Sequence, residues 1–227
     1  MASASLIITA AGNSTRWNNS DKIEKKEFAT LKNGRTVLFS SLESVYNPLK
    51  KYIAKIAIVY NKQFLEETKE AIDFYNLPKG LKEKLIFVQG GDTRAESTKN
   101  GVEALKKYTT DYIITHDGAR PFASPALVKH IFEDALIYST SIPYLPLRDS
   151  IKMVKGEFVI SNVERSNYVS IQTPQVFKKA ILEKAYDDFY NPLATDDSEL
   201  VFLSGVPVHL TKGENTNIKI TYKEDLE

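Results

Sequence analysis

Arg16, Lys26, Asp117 and Lys219 are residue types that could act together on a phosphoryl group, and each lies in or beside a polar stretch. In "LIITAAGNSTRW", Ala10, Ala11 and Gly12 carry almost no side chain, so a ligand can approach their backbone amides. Arg16 adds a planar fork of donors suited to phosphate oxygens. The turn has one glycine and no P-loop Lys-Ser/Thr, and the run "KIEKKEF" then brings Lys22, Lys25 and Lys26. A tight structural turn beside solvated lysines is the competing reading. In "QGGDTRAESTKNG", Gly90 and Gly91 permit a sharp turn, and Asp92 and Ser97 could read hydroxyls or a base edge. A loop capping the next helix is the alternative there. In "THDGARPF", Asp117 and Gly118 follow an apolar strand. A carboxylate at that point suits a magnesium ion (Mg2+) shared with a phosphate, with Arg120 as the adjacent cation. An Asp-Gly turn would also explain it. His116 reads as a hydrogen-bonded residue at the sheet edge, since no second histidine lies nearby. In "GENTNIKIT", alternation places Asn217, Lys219 and Thr221 on one side of a short strand and Ile218 and Ile220 on the other. A solvated edge lysine is the plain alternative.

No Ser-His-Asp arrangement can be argued, the three histidines form no metal pattern, and no protein nucleophile stands out. The chemistry these turns support together is charge stabilisation during transfer at phosphorus.

The elements that must hold them alternate between strand-length apolar runs and helical stripes. "SLIIT", "YIAKIAIVY", "KLIFVQ" and "DYIITH" read as strands. Between and after them come helical faces at Val37–Leu49, Phe64–Tyr75, Ala95–Leu105 and, after the Ser124-Pro125 cap, Leu127–Leu136. This rhythm predicts an α/β fold with a Rossmann-like, mainly parallel sheet flanked by helices on both faces. Ligands in such sheets bind beyond the carboxyl ends of the strands where strand order reverses. The rhythm breaks between 139 and 173, where alternating residues around a Lys-Gly-Glu turn predict a projecting β-arm. Helical pattern is expected again from Val176 to Tyr190 and from Asp197 to Ser204. "VPVHLT" and "NIKIT" read as late strands.

The 227 residues suffice for one such domain, 1–227, with the arm as its appendage. With 42% hydrophobic residues a packed core is expected, and the net charge of +1 argues against general nucleic-acid or membrane-surface binding. There is no cysteine, which rules out disulfides and thiolate metal sites. The apolar run near the N-terminus is too short for a signal peptide or a membrane span. A soluble, cytoplasmic protein is expected.

The ordered set "AAGNSTRW", "KKEF", "GGDTRAES", "HDGARPF", "RDSIK", "ERSNY", "QTPQVF", "TDDSE" and "NIKIT" resembles the 2-C-methyl-D-erythritol 4-phosphate cytidylyltransferases. The resemblance implies transfer of CMP from CTP to 2-C-methyl-D-erythritol 4-phosphate, a polyol phosphate whose own oxygen attacks, with release of pyrophosphate in the non-mevalonate isoprenoid pathway. It implies that Ala10, Ala11, Gly12, Gly91, Asp92, Ser97, Gly118 and Arg120 surround the nucleotide. Arg16, Lys26 and Lys219 would be the catalytic cations and Asp117 the magnesium residue. Arg165 and Thr173 would hold the second substrate, from an arm that pairs two copies into a homodimer. Ribitol 5-phosphate cytidylyltransferases and a non-catalytic nucleotide sensor are the rival readings. The chain departs from the family pattern in a longer loop before Lys26, in Lys25-Lys26-Glu27 for Pro-Lys-Gln, and in Thr216 where an acidic residue is usual. Glu214 is the carboxylate that could compensate for Thr216.

Overall fold

The structure, a computed structural model, describes residues 2–14, 17 and 24–226. Arg16 and Lys22 lie outside the described residues. The first half of the chain forms β1 (Ala4–Ala10), α1 (Val37–Leu49), β2 (Ile53–Tyr60), α2 (Leu65–Ala71), a single-turn α3 (Lys79–Lys82), β3 (Leu85–Gln89), α4 (Arg94–Leu105) and β4 (Tyr112–Asp117). The second half forms α5 (Pro125–Tyr138), β5 (Thr140–Pro146), β6 (Lys152–Lys155), β7 (Phe158–Asn162), β8 (Val169–Ile171), β9 (Gln175–Lys178), α6 (Lys179–Asp188), α7 (Asp197–Leu203) and β10 (Leu210–Lys212).

The main sheet runs β10-β5-β9-β4-β1-β2-β3, with β8 paired to β5. Strands β3, β2, β1 and β4 are parallel, β9 is antiparallel to both β4 and β5, and β10 is parallel to β5. Parallel strands covered on both faces read as continuous apolar runs because each side chain in turn finds a helix. In β1, Leu6 and Ile8 pack with Leu38 and Leu42 of α1 and Ile131 and Phe132 of α5. Ile7, between them, packs with Val102 of α4, Leu182 of α6 and Leu200 of α7. Helix α5 starts where the sequence marks it: the Ser124 hydroxyl accepts from the Leu127 amide and proline fills the first helical position.

The chain adds β2 and β3 on one side of β1, then crosses to place β4 on the other. The carboxyl ends of β1 and β4 therefore diverge into a crevice, with Thr9 paired to Asp117 at its base.

Three expectations are corrected. Val176 and Phe177 belong to β9, and the helix begins only at Lys179. Val176 joins one core cluster and Phe177 the other, as in a strand, and two apolar residues are too few to separate period 2 from period 3.6. "NIKIT" is not a strand. A turn bonds the Asn217 amide to the Glu214 carbonyl, and the segment then lies along the loop after β4, where the Ile220 amide donates to Ala119 O. Asn217 and Ile220 are fully buried while Ile218 is 40% exposed, so the alternation fails. "VPVHLT" yields only the three-residue β10, starting at Leu210.

Within 139–173, the ends of the segment are part of the sheet as β5 and β8. The β6–β7 hairpin forms a separate two-stranded sheet, turning at Gly156 with φ of +58°.

Candidate active site

The crevice at the ends of β1 and β4 is a pocket lined by Ala11 and Gly12 on one side and by Gly91, Asp92, Arg94 and Ser97 on the other. Asp117, Lys219 and Glu27 also line it. The small residues of the first turn leave room: among the described residues, a Cβ on Gly12 would meet no atom within 4 Å. Ala10 is buried just beneath. The opposite wall is shaped by the start of α4. Thr93 caps it by accepting from the Glu96 amide, and the Ser97 hydroxyl accepts from the Gly91 amide at 3.2 Å. Asp92 is fixed through its own amide, which donates to Glu96 Oε2 at 2.8 Å.

Asp117 is the electrostatic centre. Lys219 Nζ lies 2.7 Å from its Oδ2, Arg120 Nε 3.6 Å from the same oxygen, and Arg94 Nε 3.5 Å from Oδ1. Burial alone would raise this carboxyl's pKa, but the charges of Lys219, Arg94 and Arg120 outweigh it and hold the group well below the usual carboxylate range. Arg120 also donates to Asn217 O at 2.8 Å, and burial pulls its guanidinium below its ordinary value.

Beneath the aspartate runs a fixed polar chain. The Asp117 amide donates to the Thr173 hydroxyl at 3.1 Å, and that hydroxyl lies 3.0 Å from His116 Nδ1. His116 Nε2 lies 3.0 Å from the Arg120 carbonyl. A carbonyl can only accept, so Nε2 carries the proton and Nδ1 accepts from Thr173. Thr173, expected on the arm against the second substrate, is instead buried under Asp117 with its hydroxyl engaged on both sides. Gly118 is set by packing against β1, for a Cβ there would meet the Thr9 carbonyl at 2.9 Å and Leu38 Cδ1 at 3.0 Å.

The lysines before α1 are drawn in different directions. Lys25 is buried, donates to the Gly12 carbonyl, and has its pKa lowered by burial. Lys26 donates to Ile220 O at 2.8 Å, which sets it beside the Lys219 segment. Glu27 accepts from the Ser14 hydroxyl at 3.2 Å, and burial pushes its carboxyl up. Glu214 accepts from the Ser124 hydroxyl at 2.7 Å at the start of α5 and is not among the residues that line this pocket. Arg165 lies outside the pocket, exposed at the base of the arm, where it donates to the Arg148 carbonyl.

The structure thus gathers Ala11, Gly12, Gly91, Asp92, Ser97, Asp117 and Lys219 around one pocket, with Arg120 behind it. It adds Arg94, a residue of "GGDTRAES" whose local sequence gives it no role. Arg94 makes a bidentate pair with Asp197 of "TDDSE", both contacts at 3.0 Å, and Asp197 also accepts from the Tyr186 hydroxyl at 2.6 Å. The arginine's place two residues after Asp92, opening a helix, was the available signal.

A small-residue crevice with a cluster of cations about one aspartate fits a nucleoside triphosphate, and comparison with known proteins identifies the family. The family model for 2-C-methyl-D-erythritol 4-phosphate cytidylyltransferase matches residues 4–227. The chain belongs to that family. The 2-C-methyl-D-erythritol 4-phosphate cytidylyltransferase of Dehalococcoides mccartyi (strain CBDB1) is 36% identical over 221 residues, covering 97% of this chain and 91% of that protein. Among solved structures, the 4-diphosphocytidyl-2C-methyl-D-erythritol synthase of Anaerococcus prevotii DSM 20548 superposes with a TM-score of 0.79 at 29% identity, covering 99% of this chain and 95% of that one. The 2-C-methyl-D-erythritol 4-phosphate cytidylyltransferase of Thermus thermophilus gives a TM-score of 0.72 at 31% identity, with 99% and 95% covered. These likenesses extend over nearly the whole chain. Among the described residues no helix is long and apolar enough to cross a membrane.

Proposed function

We infer that this chain transfers CMP from CTP to 2-C-methyl-D-erythritol 4-phosphate, giving 4-diphosphocytidyl-2-C-methylerythritol and pyrophosphate in isoprenoid synthesis. The observation that carries the mechanism is the ring of Lys219, Arg94 and Arg120 about Asp117 at the pocket between β1 and β4. A phosphate oxygen of the polyol phosphate attacks the α-phosphorus of CTP, the bond from that phosphorus to the bridging oxygen breaks, and pyrophosphate leaves with the electron pair. Both reactants are anionic, so their approach is costly, and fixed cations offset that cost where charge builds up. Lys219 and Lys26 are the described cations assigned to that task. The amides of Ala11 and Gly12 approach the triphosphate, and Gly91, Asp92 and Ser97 face the base and ribose.

Asp117 would hold magnesium. Its carboxyl is kept ionised at the pocket wall, and magnesium commonly takes one or two carboxylates and completes its shell with substrate phosphates and water. Among the described residues no group of three or more His, Asp or Glu could hold a metal. When bound, the ion supplies positive charge to the phosphate oxygens.

The chain acts as a homodimer through its arm. Both strands of the hairpin are exposed along their whole length, Phe158 at 76% and Val154 and Val159 at 61% each, and an isolated two-stranded hairpin is marginal in water. Pairing two arms would cover this surface and carry Arg165 of each copy to the other's pocket, where its fork positions the second substrate.

Incubation with CTP, magnesium and either 2-C-methyl-D-erythritol 4-phosphate or ribitol 5-phosphate tests the reaction. Pyrophosphate should appear with the first and not the second. Release with ribitol 5-phosphate alone, or CTP binding without release for either, would replace this reading.

A further inference from the structure

Three cations meet Asp117, and they are not held alike. Arg94 is gripped by both oxygens of Asp197, a carboxylate with no solvent exposure that is itself held by the Tyr186 hydroxyl at the start of α7. Arg120 is tied to the Asn217 carbonyl. Among the described residues, Lys219 Nζ pairs with Asp117 alone, and its side chain is 36% exposed where that of Arg94 is 23% and that of Arg120 12%. Two guanidinium groups are therefore part of the scaffold, and the ammonium sits on a flexible stem at the open side of the pocket.

We infer that Arg94, anchored by Asp197, is a positioning residue that keeps Asp117 in place and partly neutralised so that Lys219 can exchange Asp117 for a substrate phosphate. The inference rests on the proposed reaction for its kinetic consequence but not for its geometry. Without Arg94, moving Lys219 to a phosphate would leave the buried carboxylate facing only Arg120 until magnesium arrives with the substrate, and the exchange would be resisted. Arg94 reduces that resistance in two ways. It shares the charge of Asp117, and it adds a positive charge that lowers the net attraction felt by Lys219. It can do so only because Asp197 fixes its fork. A rotatable cation at this place would itself move to the phosphate. The link joins the first residue of α4, the last of β4 and the first of α7, so three elements fix one carboxylate.

The test is the double variant Arg94→Gln/Asp197→Asn. It replaces a buried, net-neutral charge pair with amides of similar size, so the long-range field is unchanged and the local contact with Asp117 is lost. At saturating substrates, kcat should fall about 100-fold, as expected when a reacting group is misplaced, while KM for CTP changes little. In the substrate-free protein, acetylation of Lys219 by an amine-reactive reagent, read by mass spectrometry, should slow, because Asp117 then holds Lys219 more tightly. The labelling comparison needs no turnover, so it stands even if the wild type proves inactive toward 2-C-methyl-D-erythritol 4-phosphate, an outcome that would count against the proposed reaction instead. Retained kcat, a rise in KM for CTP with kcat intact, or unchanged labelling of Lys219 would each overturn the inference. Should the double variant not fold, Arg94→Lys keeps the charge and loses the fork, and the same losses in kcat without a rise in KM are expected. An Arg94→Lys enzyme with full kcat overturns it equally.

Discussion

His116 lies directly before the central aspartate, fully buried, with both ring nitrogens engaged. Burial, only partly offset by the bond to the Arg120 carbonyl, lowers its pKa to about 4, against an ordinary value near 6.5. The folded chain thus refuses a proton that the unfolded chain accepts between these two values. The stability this contributes is present above about pH 6.5 and is lost as pH falls toward 4. Urea unfolding at pH 7 and pH 5 should show the wild type losing about 2 kcal/mol more than a His116→Gln variant over that interval. Equal losses would mean that the imidazole titrates normally. The residues around it were unequally legible. Asp117 and Lys219 announce themselves as single charges in polar turns beside apolar segments. Arg94 does not, because its meaning depends on Asp197, 103 positions away, and no local pattern carries a bidentate pair across that distance. The place of Thr173 is hidden for a similar reason: an arm-like stretch of sequence returns to the sheet before its hydroxyl meets the Asp117 amide.

At the scale of elements, the chain leaving β4 lies tight against β1 at Gly118, whose amide donates to the Thr9 carbonyl at 2.9 Å. Gly118→Ala would drive a methyl into the Thr9 carbonyl and Leu38, and such overpacking costs about 1–3 kcal/mol. Gly12→Ala meets nothing among the described residues, so thermal denaturation should find it unchanged while KM for CTP rises. If Gly118→Ala melted like the wild type, or Gly12→Ala left KM untouched, the division between packing glycine and ligand-facing glycine would fail. The parallel half of the sheet was readable because its strands are apolar on both faces and its helices carry long stripes. Strand β9 was not, being four residues whose pairing with β4 overrides a local pattern that also suits the start of α6. The segment around Lys219 deceived by true alternation of residue type. Its conformation answers to Asn217, whose side chain donates to the Thr173 carbonyl, rather than to a strand neighbour.

For the whole molecule, the proposed pairing of two arms ties the exposed hairpin to the pocket, because it would carry Arg165 of one copy to the pocket of the other. Sedimentation should give a species about twice the 25.6 kDa chain mass. Phe158→Glu, which places a charge on the most exposed apolar residue of the hairpin, should shift it toward the single-chain mass and raise KM for the polyol phosphate more than for CTP. A wild type that sediments as a single chain at full activity would remove the arm from the mechanism. The central claim, that positive charge stabilises transfer at the α-phosphorus of CTP, is tested most directly by single-turnover pyrophosphate release from wild type and Lys219→Ala, both saturated with CTP and 2-C-methyl-D-erythritol 4-phosphate. The account predicts a rate about 100-fold lower in the variant, equivalent to ~3 kcal/mol of barrier. An unchanged rate would contradict it.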